Sequence, residues 1–236
     1  MPKALVRVGG EPLIKHVIDN LAKAGVDRIV VNVHHFAQQI IDYLHQHNNF
    51  DIDIRISDET SALLETGGGI KKAAPFFDST APILIHNVDI MSNVDLRRFY
   101  TMAQHEECSA ADSDAKAQPI DALLLVSWRK TKRYLLFDDE MRLVGWTNIE
   151  TGEVKSPYAD LDPKKCRMYA FAGIHALSPR LLPAMDEFPD RFSIIDFYLK
   201  ACAKYNIRGY VKDDLRLMDI GKLDTLAEAE QFLADL

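Results

Sequence analysis

Cysteine is scarce in this chain: Cys108, Cys166 and Cys202 are an odd number without CxxC spacing, which excludes a disulfide framework and the usual zinc-site patterns. An excess of basic charge is missing too. Acidic residues outnumber basic ones, 35 to 28, for a formal charge of −7 and a pI near 5.6, and the lysines and arginines read as dispersed, without a run of like charges. A nucleic-acid binder or a membrane-surface protein needs a basic face, so neither partner is expected. No stretch approaches the roughly eighteen apolar residues of a membrane span, and no signal-peptide pattern opens the chain. The reading is a soluble cytoplasmic protein.

Several catalytic signatures are absent as well. There is no GxxxxGK[ST] loop and no HExxH helix. The GxGxxG spacing fails, which removes a dehydrogenase with a nicotinamide cofactor. His34, His35, His45 and His47 lie on or beside an expected surface helix and read as solvated or capping side chains rather than ligands. Trp128, Trp146 and Phe171 could stack on a sugar or base, but fall in strand-like runs where core packing is the default.

What is present is an alternation of strands and helices. At 236 residues and 47% hydrophobic, the chain can bury one large core, so residues 1–236 are taken as a single domain. Leu13, Ile14, Val17, Ile18 and Leu21 recur at helical spacing after Pro12, followed by a β-branched run over 28–33, an amphipathic segment over 36–47, an alternating strand over 52–56 and a helix over 94–105. This order predicts an α/β fold, doubly wound, with a mainly parallel mixed sheet of Rossmann-like type. From Ala122 to His175 the strands are short and separated by turns, which predicts a small antiparallel insert over the cleft, at about 120–176. Residues 110–119 read as a loop. Ser193 and Asp196 have the form of a capping box for a helix reaching Lys204, and a final amphipathic helix carries Leu223 to Phe232.

Chemistry is expected at two places where an apolar run stops at a carboxylate. Leu84 to Val88 ends at Asp89, and Leu217-Met218 ends at Asp219. Ligands in open α/β sheets sit at the carboxyl ends of strands, and two such aspartates facing one cleft suit a divalent metal. Mg²⁺ keeps several waters and is usually held by one or two carboxylates together with substrate phosphates. Just upstream of the Asp89 run, Glu65-Thr66-Gly67-Gly68-Gly69 reads as a turn that could bring backbone N–H groups to a ligand, with a short helix following near 70–74. From composition alone, Lys3 is a surface lysine.

Pro2-Lys3-Ala4-Leu5-Val6-x-Val8-Gly9-Gly10-x-Pro12-Leu13-Ile14, Glu65-Thr66-Gly67-Gly68-Gly69-Ile70, Asn87-Val88-Asp89, Phe171-Ala172-Gly173-Ile174 and Asp219-Ile220-Gly221 occur in the order seen in sugar-1-phosphate nucleotidyltransferases. The chain resembles that family over nearly its whole length, with the ETGGG form nearest the branch of N-acetylmuramate-1-phosphate uridylyltransferase and mannose-1-phosphate guanylyltransferases. The resemblance implies transfer of a nucleotidyl group from an NTP, UTP or GTP favoured, to a sugar 1-phosphate, with pyrophosphate leaving. It implies that Asp89 and Asp219 hold Mg²⁺, that Lys3 contacts phosphates, that Glu65, Gly67 and Gly68 meet the nucleotide, and that Asn148 and Gly173 line the sugar pocket.

The family pattern also has a strand and a GxGTRLRPLT-like loop ahead of the PKAL segment, whereas this sequence opens at Met1-Pro2-Lys3. The expectation is therefore a weakly active or inactive 236-residue species, or a non-catalytic nucleotide-sugar binder. A vacant strand position should leave the neighbouring strands unpaired, with disorder near Met1–Gly10 or pairing with another chain across that edge, giving a homo-oligomer.

Overall fold

The computed structural model describes residues 1–104, 106–107, 118–220 and 226–236. The chain starts with a 3₁₀ turn, Lys3–Leu5, and a hairpin of β1 (Arg7–Val8) and β2 (Glu11–Pro12). Pro12 then precedes α1 (Leu13–Lys23), followed by β3 (Arg28–Val33), α2 (Ala37–Gln46), β4 (Asp53–Asp58), α3 (Glu65–Ala73), β5 (Ile83–His86), β6 (Ile90–Ser92) and α4 (Leu96–Gln104). Next come β7 (Glu106–Glu107), β8 (Gln118–Pro119), β9 (Ala122–Ser127), β10 (Arg133–Phe137), β11 (Leu143–Asn148), β12 (Val154–Lys155) and β13 (Arg167–Leu177). The chain closes with α5 (Ile194–Ala201), β14 (Ile207–Val211), β15 (Leu217–Asp219) and α6 (Leu226–Ala234). Cys108, most of the loop expected over 110–119, and the first turn of the last expected helix lie outside the described residues.

β9 shows why the fold is layered. All six of its residues are buried, and they alternate between two cores, with Leu123 and Leu125 facing one side and Ala122, Leu124 and Val126 the other. A strand covered on both faces needs an unbroken apolar run. One face packs against α1, α2 and α4 through Ile18, Leu44 and Phe99, and the other against α3 and α5 through Ile70, Phe197 and Tyr198. Each such side chain, fully buried, is worth about 1.5–3 kcal/mol of transfer free energy. The expected α/β class with a mixed sheet is what forms, its parallel ladders being β3 with β4 and β9 with β14.

The antiparallel strands are continuous with this sheet rather than laid over it. β13 pairs with β5 and β9 through its second half and with β10 through its first, so β10, β11 and β12 extend the sheet sideways. Ser193 caps α5 by accepting from the Ile195 N–H at 3.2 Å, and the helix ends at Ala201, short of Lys204. Trp128 is not in the core: it is 68% exposed and leans on Tyr169 at 4.5 Å between ring centroids.

His175, fully buried in β13, shares a 2.6 Å hydrogen bond between Nδ1 and the Tyr198 hydroxyl. Burial drives its pKa down from 6.5 to about 3. The unfolded chain therefore binds a proton between those two values that the folded chain does not, and this residue's contribution to stability falls as the pH drops from about 6.5 toward 3. In His175→Gln, which keeps a polar partner for Tyr198, the dependence of unfolding free energy on pH between about 4 and 6 should be shallower by about 1.4 kcal/mol per pH unit. Urea unfolding of both proteins across that range is the check, and equal slopes would refute a neutral buried imidazole.

Candidate functional site

The first aspartate sits in a turn held from below. β5 ends at His86, and Asn87 to Asp89 lead back into β6 with the Ile90 N–H donating to the Asn87 carbonyl at 3.2 Å. Gly173 accepts from the Asn87 N–H at 3.1 Å through its carbonyl. It adopts φ +77°, and a Cβ there would stand 2.8 Å from Asn87 Nδ2 and 3.1 Å from Ile90 Cγ1. Only glycine takes that backbone and that closeness without strain. Gly173 thus lies against the aspartate turn, in the irregular stretch of β13 between Phe171 and His175.

The second aspartate ends β15. Asp219 is opposite Ile90 in the β6–β15 ladder, and the Ile220 N–H donates to the Asp89 carbonyl at 2.8 Å. Asp89, in the turn that leads into β6, and Asp219, at the end of β15, are thus brought together through the main chain, although more than half of the chain separates them in sequence. Lys3 joins them: its Nζ lies 3.1 Å from Asp89 Oδ2, in a pair that remains solvated, with side-chain exposures of 55% and 23%. Val8 and Leu13 bury against Met91, Ile220 and Ala229. This small apolar cluster fastens the N-terminal hairpin and α6 to the aspartate strands and so keeps Lys3 over Asp89.

The triple-glycine stretch is not an open turn. Glu65 to Ala73 form α3, and the N–H groups of Gly67 and Gly68 donate to the Phe192 carbonyl at 2.9 and 3.2 Å. Thr66 Oγ1 accepts from the Ile194 N–H at 3.0 Å, and the Glu65 carboxylate is held by Arg191 at 2.9 Å. A Cβ at Gly69 would come within 2.6 Å of Asn32 Nδ2 and 2.7 Å of Glu59 Oε1, two side chains joined by a 2.7 Å hydrogen bond. The glycines therefore let a helix start lie against the 190–194 segment and the Asn32–Glu59 pair, a close approach of protein to protein that local sequence cannot distinguish from an approach to a ligand.

Glu65 and Thr66 line a cleft of about 1310 Å³ that reaches Asn87 and Val88, with Glu59 on its wall. Asn148 lies elsewhere, in a second hollow of about 550 Å³ that meets the first at Phe171. Its Oδ1 accepts from the Glu150 N–H at 3.0 Å, so part of its capacity is spent on its own hairpin. Arg129, Arg133, Lys155 and Trp146 share that second hollow, and Lys155 Nζ lies 5.3 Å over the Trp146 ring. The reading of dispersed basic residues overlooked these: Arg129, Lys130, Lys132 and Arg133 form a local basic run beside Trp128, a signal visible before folding. Asn87, which braces the aspartate turn, also went unassigned.

The donor set can be tested against a metal. Asp89 and Asp219 are hard oxygen donors, and among the described residues no group of three acidic, histidine or cysteine side chains could hold a metal ion. Carboxylate oxygens are the donors that a hard cation such as Mg²⁺ takes.

The chain is similar to known proteins in sequence and in fold. Residues 1–146 match the MobA-like NTP transferase domain. The N-acetylmuramate alpha-1-phosphate uridylyltransferase of Caulobacter vibrioides is 43% identical over 90 residues, 37% of either chain, and that of Neisseria meningitidis serogroup B is 34% identical over 102 residues, 43% of this chain and 44% of the relative. These matches thus span less than half of each relative's length. In three dimensions, HddC from Yersinia pseudotuberculosis complexed with GMP-PN superposes with a TM-score of 0.70 at 19% identity, covering 99% of this chain and 90% of that one. A putative glucose-1-phosphate thymidylyltransferase from Bacillus anthracis gives 0.73 at 15% identity, covering 99% and 87%. No helix among the described residues is long and apolar enough to cross a membrane. A sheet with helices on both faces, an aspartate at the end of its β5 arm and a profile match over more than half the sequence lead to one family: this chain belongs to the MobA-like NTP transferases.

Proposed function

We propose that the chain is a sugar-1-phosphate nucleotidyltransferase, forming an NDP-sugar and pyrophosphate from an NTP and a sugar 1-phosphate. The observation that carries the reading is Lys3 against Asp89, in the turn that follows β5, with Asp219 at the end of the strand whose next residue bonds to the Asp89 carbonyl. An attacking sugar-phosphate oxygen and a departing pyrophosphate require charge neutralisation and alignment more than covalent help. Asp89 and Asp219 would hold Mg²⁺, which when bound neutralises charge on the phosphate oxygens. Lys3 would place a point charge on the triphosphate once its contact with Asp89 loosens. The sugar would lie toward Phe171 and the second hollow, where Asn148, Arg129 and Arg133 offer polar contacts beside an aromatic wall.

The relatives' names favour UTP or GTP as nucleotide and N-acetylmuramate 1-phosphate or mannose 1-phosphate as acceptor. A cytoplasmic location accompanies the reading, since both substrates are polyanions that do not cross membranes unaided. The test is pyrophosphate release with each common NTP crossed against those two sugar phosphates and glucose 1-phosphate, with and without Mg²⁺. Release should need both substrates and the metal. Lys3→Ala should lower kcat/KM for the NTP by about 10- to 100-fold, the range for a removed charged contact to phosphate, and an unchanged value would remove Lys3 from the site.

A second reading, a non-catalytic nucleotide-sugar binder, is favoured by one observation: the Gly67 and Gly68 N–H groups are turned toward Phe192 and form no anion nest in this arrangement. Binding of a UDP- or GDP-sugar with no turnover for any substrate pair would establish it.

A further inference from the structure

The second hollow draws its polar lining from one face of the extended sheet. Arg133 and Asn148 stand opposite each other in the β10–β11 ladder, as do Leu135 and Trp146 two residues further along, and directly opposed residues of an antiparallel pair share a face. Both polar side chains therefore rise into the hollow together. Arg129 reaches it from the connection after β9, with Nη2 3.4 Å from the Phe171 carbonyl, and Phe171 is where the hollow meets the main cleft. That connection is tied down. The Thr131 N–H donates to the Tyr134 hydroxyl at 3.1 Å, and the Ile149 N–H to the Lys132 carbonyl at 2.8 Å.

The charges of the hollow are unevenly matched. Its two carboxylates, Glu153 and Asp196, both lean on Lys155, at 3.9 and 3.5 Å, and Glu150 close by is taken by Lys132 at 2.9 Å. Among the described residues no carboxylate pairs with Arg129 or Arg133. Asn148 has committed its oxygen to the Glu150 N–H and keeps its amide N–H groups. A guanidinium cannot accept a hydrogen bond, so the two arginines and Asn148 offer a ligand donors and positive charge. A sugar hydroxyl is matched by a donor and an acceptor together. A carboxylate takes donors alone, and a guanidinium meets it through two parallel bonds.

We propose that the second hollow holds a carboxylate of the acceptor, so that the substrate is an acidic sugar 1-phosphate whose carboxylate is gripped by Arg129 and Arg133 with Asn148 beside them. The inference rests on the transferase reading above, in which Lys3 and Asp89 serve the phosphates, and it makes the two arginines specificity-determining residues of that reaction. Phe171, shared by hollow and cleft, would lie against the sugar ring between the two charged ends. Discrimination follows from the unmatched charges, because a neutral sugar leaves two guanidinium groups in one hollow without a counter-charge.

The test compares glucuronic acid 1-phosphate with glucose 1-phosphate, and N-acetylmuramate 1-phosphate with N-acetylglucosamine 1-phosphate, each pair differing in one carboxylate-bearing substituent. In pyrophosphate release by the full chain with NTP and Mg²⁺, at least one acid should exceed its neutral counterpart in kcat/KM by at least about tenfold. Arg133→Gln should bring that ratio close to one, Arg129→Gln should lower it, and Arg133→Lys, which keeps the charge, should retain part of it. If no acceptor turns over, the transferase reading fails, and calorimetric titration of the same four sugar phosphates still decides the hollow: at least about tenfold tighter binding of an acid, lost in Arg133→Gln, supports the proposal. Neutral acceptors used or bound as well as acidic ones would overturn it, as would an acid preference that survives both glutamine substitutions. So would Arg133→Gln weakening acidic and neutral acceptors by the same factor, since the arginines would then serve the anomeric phosphate that all four share.

Discussion

Asp89→Asn is expected to reduce the rate of pyrophosphate release by at least about 100-fold, the scale of losing one preorganised electrostatic group at a phosphoryl-type transfer, while the melting temperature stays within about 4 °C. The two halves of this expectation have separate physical origins. Asparagine has the shape of aspartate and keeps an acceptor for Lys3 Nζ at 3.1 Å, but it lacks the charge that would hold a cation and, through it, phosphate oxygens. Lys3 is more than half exposed, and solvated ion pairs contribute only about 0–1 kcal/mol, so the fold should not register the change. The measurement is initial rates across Mg²⁺ concentrations alongside a thermal melt. A parent rate retained at all metal concentrations would remove Asp89 from the chemistry, and a collapsed melt would make it a structural residue instead.

The largest effect on stability is expected from Gly68→Ala. Its Cβ would fall far inside the 3.0 Å limit to the Asp190 carbonyl oxygen, and at 3.0 Å from Leu64 Cβ. The oxygen belongs to main chain and cannot swing aside as a flexible side chain would. Either α3 moves off the 190–194 segment, losing the bonds from the Gly67 and Gly68 N–H groups to Phe192, or that segment moves and uncovers Phe192 and Ile194, both buried. The cost should be about 2–4 kcal/mol, in the range of core overpacking and lost buried hydrogen bonds. For a chain of this size that lowers the melting temperature by about 4–16 °C. Gly25→Ala is the control, since a Cβ there meets nothing within 4 Å although its φ of +92° carries strain. A Gly68→Ala protein as stable as the parent would mean that the helix start is not packed as described.

The same glycines show where reading the chain succeeds and where it stops. Local patterns gave the order of elements: Leu13 to Leu21 at helical spacing became α1, the β-branched run at 28–33 became β3, and the unbroken apolar run at 122–127 became a strand buried on both sides. These patterns are legible because periodicity belongs to neighbouring residues. Glu65 to Gly69, by contrast, looked like a turn because three glycines are poor helix formers. The helix forms there because Phe192, more than a hundred residues later, accepts the N–H groups and fills the space that side chains would have taken. Trp128 was expected inside and is outside because β9 ends at Ser127, one residue before it, so the cover on both faces of that strand does not extend to the indole. Disorder, one of the two expectations for Met1–Gly10, is not what forms: the segment makes a 3₁₀ turn and a hairpin, because Val8 finds an apolar seat against Met91 and Ile220.

By itself, then, the order of residues determined the alternation of helices and strands, the apolar cores and the two carboxylates at strand ends, all of which depend on side chains a few positions apart. Only the tertiary structure decided that Asp89 lies in a turn beside the strand of Asp219 with Lys3 against it, that Gly173 braces the Asn87 turn, and that β3 and β5 line one cleft. Those are contacts between segments distant along the chain, set by how the layers pack, and no local pattern carries that information.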